Sequence, residues 1–235
     1  MIDRHVTRVR LVAAALSSLS LMGSAPADRK PLTFEITYDA AVRPGPISAR
    51  VYVMLGSAQG GRGEPRKGSD WFRPRPFFAV DAEDWKAGEP LRVGSEAVGF
   101  PGPLESLAPG RYAAQAVIRL NPDTHALGDG EGNAFGPVVV ATLDPEAGGT
   151  VALAVDRVVP AKVLRETDRI KLVELPSPSL SAFHRRPIRH RAAVILPEGE
   201  ATGRRATLYI VPGFGGDHLM AGRMVGDPRQ GFGRR

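Results

Sequence analysis

Residues 32–38 read Leu-Thr-Phe-Glu-Ile-Thr-Tyr. Leu32, Phe34, Ile36 and Tyr38 are apolar, and Thr33, Glu35 and Thr37 fall between them. Successive side chains of a strand point to opposite faces, so this pattern gives one apolar face and one wet face. The alternation recurs in residues 47–55, with Ile47, Ala49, Val51, Val53 and Leu55 on one face. It recurs again in residues 112–120, through Tyr112, Ala114, Ala116, Ile118 and Leu120. Residues 138–143 and 151–159 predict two further strands, and 77–80 and 91–93 shorter ones. Arg43-Pro44-Gly45-Pro46, Pro109-Gly110, Asp144-Pro145 and Gly148-Gly149 supply turns between them. No long helical period occurs between residues 28 and 160; only a turn or two is expected around Trp85. The pattern predicts a mainly β chain, with an antiparallel, Ig-like β-sandwich over residues 28–160.

Composition fits many short elements: Gly contributes 27 and Pro 21 of the 235 residues, and 43% are hydrophobic. The absence of cysteine excludes disulfides, thiolate zinc sites and a Cys nucleophile. Residues 1–27 form a secretory signal pattern: Arg4, Arg8 and Arg10, then the apolar run 11–22, then Ala25-Pro26-Ala27. That run is 12 residues long, short of the ~20 that cross a bilayer. The expectation is a secreted or periplasmic chain with no membrane span. The net charge of +6 is uneven, because residues 1–27 carry +2 and residues 185–235 carry +6. The segment between is mildly acidic. No interleaving of aromatic and basic residues occurs, so nucleic acid is not an expected partner.

Two loops and an aromatic cluster stand out. Residues 56–70 are Gly-rich and charged but lack the Gly-Lys-Ser/Thr that cradles phosphate, and read as a mobile surface loop. Trp71, Phe72, Phe77 and Phe78 follow closely; such a cluster is a ligand platform or, more often, the cover of a core. In residues 121–136, Asp129, Glu131 and Asn133 alternate with glycines and Asp123 lies nearby. Oxygens at that spacing can wrap Ca²⁺, although the EF-hand pattern is missing and such loops often only turn.

Residues 161–169 read as a linker to a second module, 170–235. Residues 170–175 and 191–196 are strand-like, with Pro176-Ser177-Pro178-Ser179 as a break. Residues 206–220 then read ATLYIVPGFGGDHLM. The continuous apolar run 207–211 predicts a strand buried on both faces. Asp217 can cap a helix over residues 218–225, ended by Gly226 and Pro228. A glycine bend between strand and helix presents backbone N–H groups that can hold a developing oxyanion. It can equally be a plain strand-to-helix turn.

The arrangement AFHRRPIRHRAAVILPEG…ATLYIVPGFGGDH resembles the opening of an α/β-hydrolase, similar to the esterase D and enterochelin-esterase group. In that group a strand ending in Leu-Pro precedes a strand that runs into His-Gly-x-Gly-Gly, and some exported members carry a leading sandwich. Gly213, Gly215 and Gly216 match the glycines, and Pro212 stands where His is usual. The resemblance implies Gly213, Phe214 and Gly215 as the oxyanion loop, with the Phe214 N–H as donor. It implies a small-molecule ester as the substrate of a full-length relative, and neither cofactor nor metal. The group's nucleophile elbow, G-x-S-x-G, does not occur in the 235 residues. The Asp and His of a triad would follow that elbow. The expectation is the N-terminal part of a serine carboxylic-ester hydrolase: a truncated α/β-hydrolase represented by its first strands and first helix. Ser177, Ser179 and Ser181 lie in a Pro-rich turn and are not nominated as nucleophile. His184 and His190 read as solvated, and His218 as a helix-start residue. The alternative reading is a secreted β-sandwich module that binds a glycan or a protein without catalysis.

Overall fold

The computed structural model describes residues 30–58, 64–67, 75–197, 203–204 and 206–226. The signal pattern of residues 1–27, Trp71 and Phe72 lie outside the described residues.

The chain is mainly β. Its elements run β1 Leu32–Tyr38, β2 Ile47–Ser57, β3 Phe77–Trp85, β4 Leu91–Val93, β5 Val98–Phe100 and β6 Gly110–Ile118. They continue as β7 Ala134–Phe135, β8 Val139–Leu143, β9 Gly149–Val155 and β10 Arg157–Val158. Then come β11 Ile170–Pro176, α1 Pro178–His184, β12 Arg189–Ile195 and α2 Ala221–Gly226.

In β1 the alternation read from the sequence is obeyed: Leu32, Phe34, Ile36 and Tyr38 are buried, and the residues between are half-buried. β1 is the middle of a three-stranded sheet, order β4-β1-β9. A seven-stranded sheet has the order β10-β7-β6-β2-β3-β5, with β8 also on β6. Phe34, Ile36, Val93 and Leu153 of the first sheet share one buried cluster with Val51, Val53, Leu55, Phe78, Ala114 and Ile118 of the second. Tyr38 closes its end. Its hydroxyl lies 2.9 Å from both Gly45 O and Trp85 O, and its ring meets Trp85 edge-on at 4.7 Å. Burial pushes the Tyr38 hydroxyl above the usual phenol range. On the exposed surface Arg50 makes two hydrogen bonds of 2.7 and 2.6 Å to Asp81. They hold that carboxyl below the usual carboxylate range. Its contribution is present above the ordinary carboxylate pKa and fades as pH falls through the lowered one; at an exposed pair it is small.

The pairing corrects three expectations. β1 and β9 run parallel, Leu32 opposite Gly149 through Tyr38 opposite Val155. Period two is common to both orientations, and the long stretch between the two strands supplies the crossover that a parallel pair needs. The helical turn expected at Trp85 is instead the end of β3, where a register shift against Ile47 and Ala49 bends the strand. The strand expected over 151–159 breaks at Asp156: β9 pairs in the first sheet and β10 in the second.

The outer face of the seven-stranded sheet is also covered. Met54, Val117, Phe135 and Val159 cluster there, with Tyr52, Phe77 and Leu127 against them. Phe77 stacks on Phe100 at 5.7 Å, while Phe78 points into the core. Arg66 is buried over this face, its guanidinium 3.7 Å from the Phe135 ring centre. Its Nη1 donates to Gly128 O at 2.6 Å, and its backbone N–H donates to Gln115 Oε1 at 3.1 Å. Glu64 balances its charge at 2.5 Å, off hydrogen-bond geometry. Residues 64–67 are therefore an anchor, which corrects the expectation of a mobile loop for that part of 56–70.

β11 and β12 form a hairpin, Ile170 opposite Ile195. Leu164, Ile170 and Ala221 make a third cluster with Leu172, Ala193, Ile195, Leu219 and Val225. The expected break at residues 176–179 holds a helix, α1. Ser177 is its N-cap, Pro178 occupies the first turn, and Arg185 at φ 52° ends it. Among the described residues no helix is long and apolar enough to cross a membrane.

Candidate active site at the glycine bend

The run 207–211 does not form the buried strand that its composition predicts. Among the described residues it pairs with no strand, and Leu208, Tyr209 and Val211 are 73%, 87% and 91% exposed. Apolar residues become an interior strand only when neighbours cover both edges and both faces. Among the described residues β11 and β12 pair only with each other.

The bend after this run is nevertheless formed. Gly216 N–H donates to Gly213 O at 2.9 Å. Gly215 sits at φ +79°, in the left-handed region that favours glycine. A Cβ on Gly216 would lie 2.5 Å from Pro212 Cβ and 2.8 Å from Met220 Sδ, so the bend is closed on its inner side. Asp217 then caps as expected, its Oδ1 accepting from Leu219 N–H at 2.9 Å. The expected helix begins as a 3-10 turn, His218–Met220, before α2. Asp217→Ala should cost about 1 kcal/mol locally. Faster amide exchange at Leu219 with an unchanged melting midpoint would confirm it, and an unchanged Leu219 would refute it.

Of the residues named for the oxyanion loop, Gly213, Phe214 and Gly215 all face outward, with Phe214 83% exposed. The Gly216 amide is committed inside the bend. Ser177 is buried beside α1, and Ser181 Oγ accepts from Ile188 N–H at 2.8 Å. His184 ends α1 edge-on to Phe183 at 5.0 Å, and His190 lies on β12 opposite Leu175.

One ring does reach the bend, and the sequence did not single it out. His125, from the loop 121–136, lies 5.3 Å from the Phe214 ring centre. Its Nε2 would stand 3.2 Å from a Cβ on Gly215. In the same loop the oxygens whose spacing can wrap Ca²⁺ diverge onto separate partners. Asp123 pairs with Arg186, and Asp129 lies 3.7 Å from Lys162 Nζ. Glu131 accepts from Lys162 N–H at 3.0 Å and comes within 4.0 Å of Arg191. Asn133 is fully buried and bonded to loop backbone. Among the described residues no group of three or more His, Cys, Asp or Glu converges. A cleft of about 580 Å³ opens beside Asp123 and Arg186, with Arg43, Leu120 and Val158 in its wall. The glycine bend is not part of that wall.

No protein-family model, no curated protein and no solved structure matches this chain.

Proposed function

We propose that residues 170–235 are the opening of an α/β-hydrolase of the exported serine carboxylic-ester hydrolase type. In this reading the two sheets over one core are the leading Ig-like sandwich, and residues 213–215 are the oxyanion loop. The observation that supports it most is the run 208–211, exposed and without a sheet partner among the described residues, leading into a preformed bend and an Asp217-capped helical turn. Consecutive apolar side chains are best accommodated in the interior of a sheet. The bend is shaped for the end of such a strand, where open α/β sheets place their ligands.

In the acyl-transfer chemistry of this class, an activated serine attacks the ester carbonyl. Main-chain donors at the bend would then stabilise the oxyanion, each worth about 3 kcal/mol in the transition state. The 235 residues contain no G-x-S-x-G elbow. The purified chain is therefore expected to hydrolyse a short-chain chromogenic ester no faster than buffer. Turnover that survives repurification would place a nucleophile within the chain and overturn the reading. Reading the coding DNA past codon 235 in all three frames tests the class itself. A G-x-S-x-G elbow supports it, and its absence in every frame overturns it in favour of a binding module.

A further inference from the structure

We infer that His125, carried by the β-rich part of the chain, is a positioning residue for the glycine bend. The inference rests on the reading of that bend as an oxyanion loop and adds what fixes its shape. Gly215 at φ +79° gives the bend its turn, but an exposed glycine turn explores many conformations. A functional oxyanion loop must hold its donors within a few tenths of an ångström, so its supporting contacts matter. The imidazole of His125 packs on the Phe214 ring and against the open side of Gly215. No side chain at residue 215 could fill that space without strain.

His125 can serve as a brace because its own loop is fixed on both sides. Ahead of it, Asn121 Oδ1 accepts from Asp123 N–H at 2.9 Å, and Asp123 pairs with Arg186 between α1 and β12. Behind it, Ala126 O and Leu127 O accept from the buried Asn133 Nδ2 at 3.3 and 3.0 Å. Gly130 N–H also donates to Ala126 O at 2.9 Å. Glu131 reaches Arg191 on β12. Among the described residues the acidic loop meets the C-terminal segment through the Asp123–Arg186 and Glu131–Arg191 contacts and the His125 ring. The ring contact is the one that touches the bend.

The test reads the bend directly. The Gly216 amide closes it, so its hydrogen-exchange rate in the full chain reports how often it opens. His125→Ala is expected to raise that rate about fivefold, as loss of a single ring contact implies. It should leave the melting midpoint unchanged, because His125 is exposed. His125→Phe, which keeps a ring, is expected to stay within about twofold of the native rate. An unchanged Gly216 rate in His125→Ala would overturn the inference. So would equal acceleration in both variants together with a lowered midpoint, which would mark a general role in folding. Neither readout uses ester turnover or the downstream DNA, so failure of the brace and failure of the hydrolase reading are seen separately.

Discussion

Gly136→Ala is expected to destabilise the protein by about 3 kcal/mol or more, the upper range for overpacking a filled site. The melting midpoint should fall by roughly 6–12 °C, given the size of the chain. Gly136 is buried just after β7, where the seven-stranded sheet passes beneath β9 of the other sheet. A Cβ there would lie 1.6 Å from Ala154 O and 2.8 Å from Ala154 C. Both are backbone atoms, so no side-chain rotation relieves the overlap. Relief means moving Gly136 away, and its two polar groups are both in use. Its N–H donates to Ala116 O at 3.1 Å, and its carbonyl accepts from Gln115 Nε2 at 2.9 Å. Gln115 is fully buried and also receives the Arg66 N–H, so the disturbance reaches the Arg66 anchor. Gly45→Ala is the control, since a Cβ there meets nothing within 4 Å. It should change stability by no more than about 0.5 kcal/mol. Equal midpoints for the two variants would show that the close passage at Ala154 is not real.

How much of this could be read beforehand depends on what covers each strand. β1 was legible because one face meets the core and the other meets water, which is the condition that period two reports. β6 carries apolar residues on its second face too, at Ala113 and Val117, and is buried on both faces from Ala113 to Ile118. Arg66 and the 121–136 loop cover its outer side; Ala113 and Val117 show that the face is covered, and nothing in residues 110–118 encodes which segment does so. The run 208–211 failed in the opposite direction. An apolar stretch states what it needs, and whether neighbours satisfy it is decided elsewhere in the chain. The bend itself was legible, because glycine at residue 215 and Asp217 before a helical turn are local requirements with local signatures. Ser177-Pro178 carried the signature of a helix start, yet the prolines on either side made it read as a break. His125 had no local signal at all. Its role comes from a contact across 89 positions of sequence, made only once the acidic loop is anchored.

That anchoring leads to the second large effect. Asn133→Ala is expected to cost about 3 kcal/mol. Asn133 is 0% exposed, and its side chain makes three hydrogen bonds. Its Oδ1 accepts from Asn121 N–H at 2.9 Å, while Nδ2 serves Ala126 O and Leu127 O. Alanine leaves the Asn121 N–H and Leu127 O unpaired around a small void, while Ala126 O keeps only the Gly130 N–H; unpaired buried groups bear the full desolvation cost. Asn133→Asp restores the acceptor toward Asn121, but it sets a carboxylate oxygen against two carbonyl oxygens. It should therefore be at least as destabilising as alanine at neutral pH, although it differs from the native side chain by one atom. Thermal melts of the two variants decide the point, and a native-like midpoint for Asn133→Asp would show that Nδ2 is not the anchoring group. The bend adds a second reading. If the loop holds His125 in place, Asn133→Ala should speed Gly216 amide exchange beyond its effect on the sheet amides of β2. A uniform acceleration would mean that the loop and the bend are energetically independent.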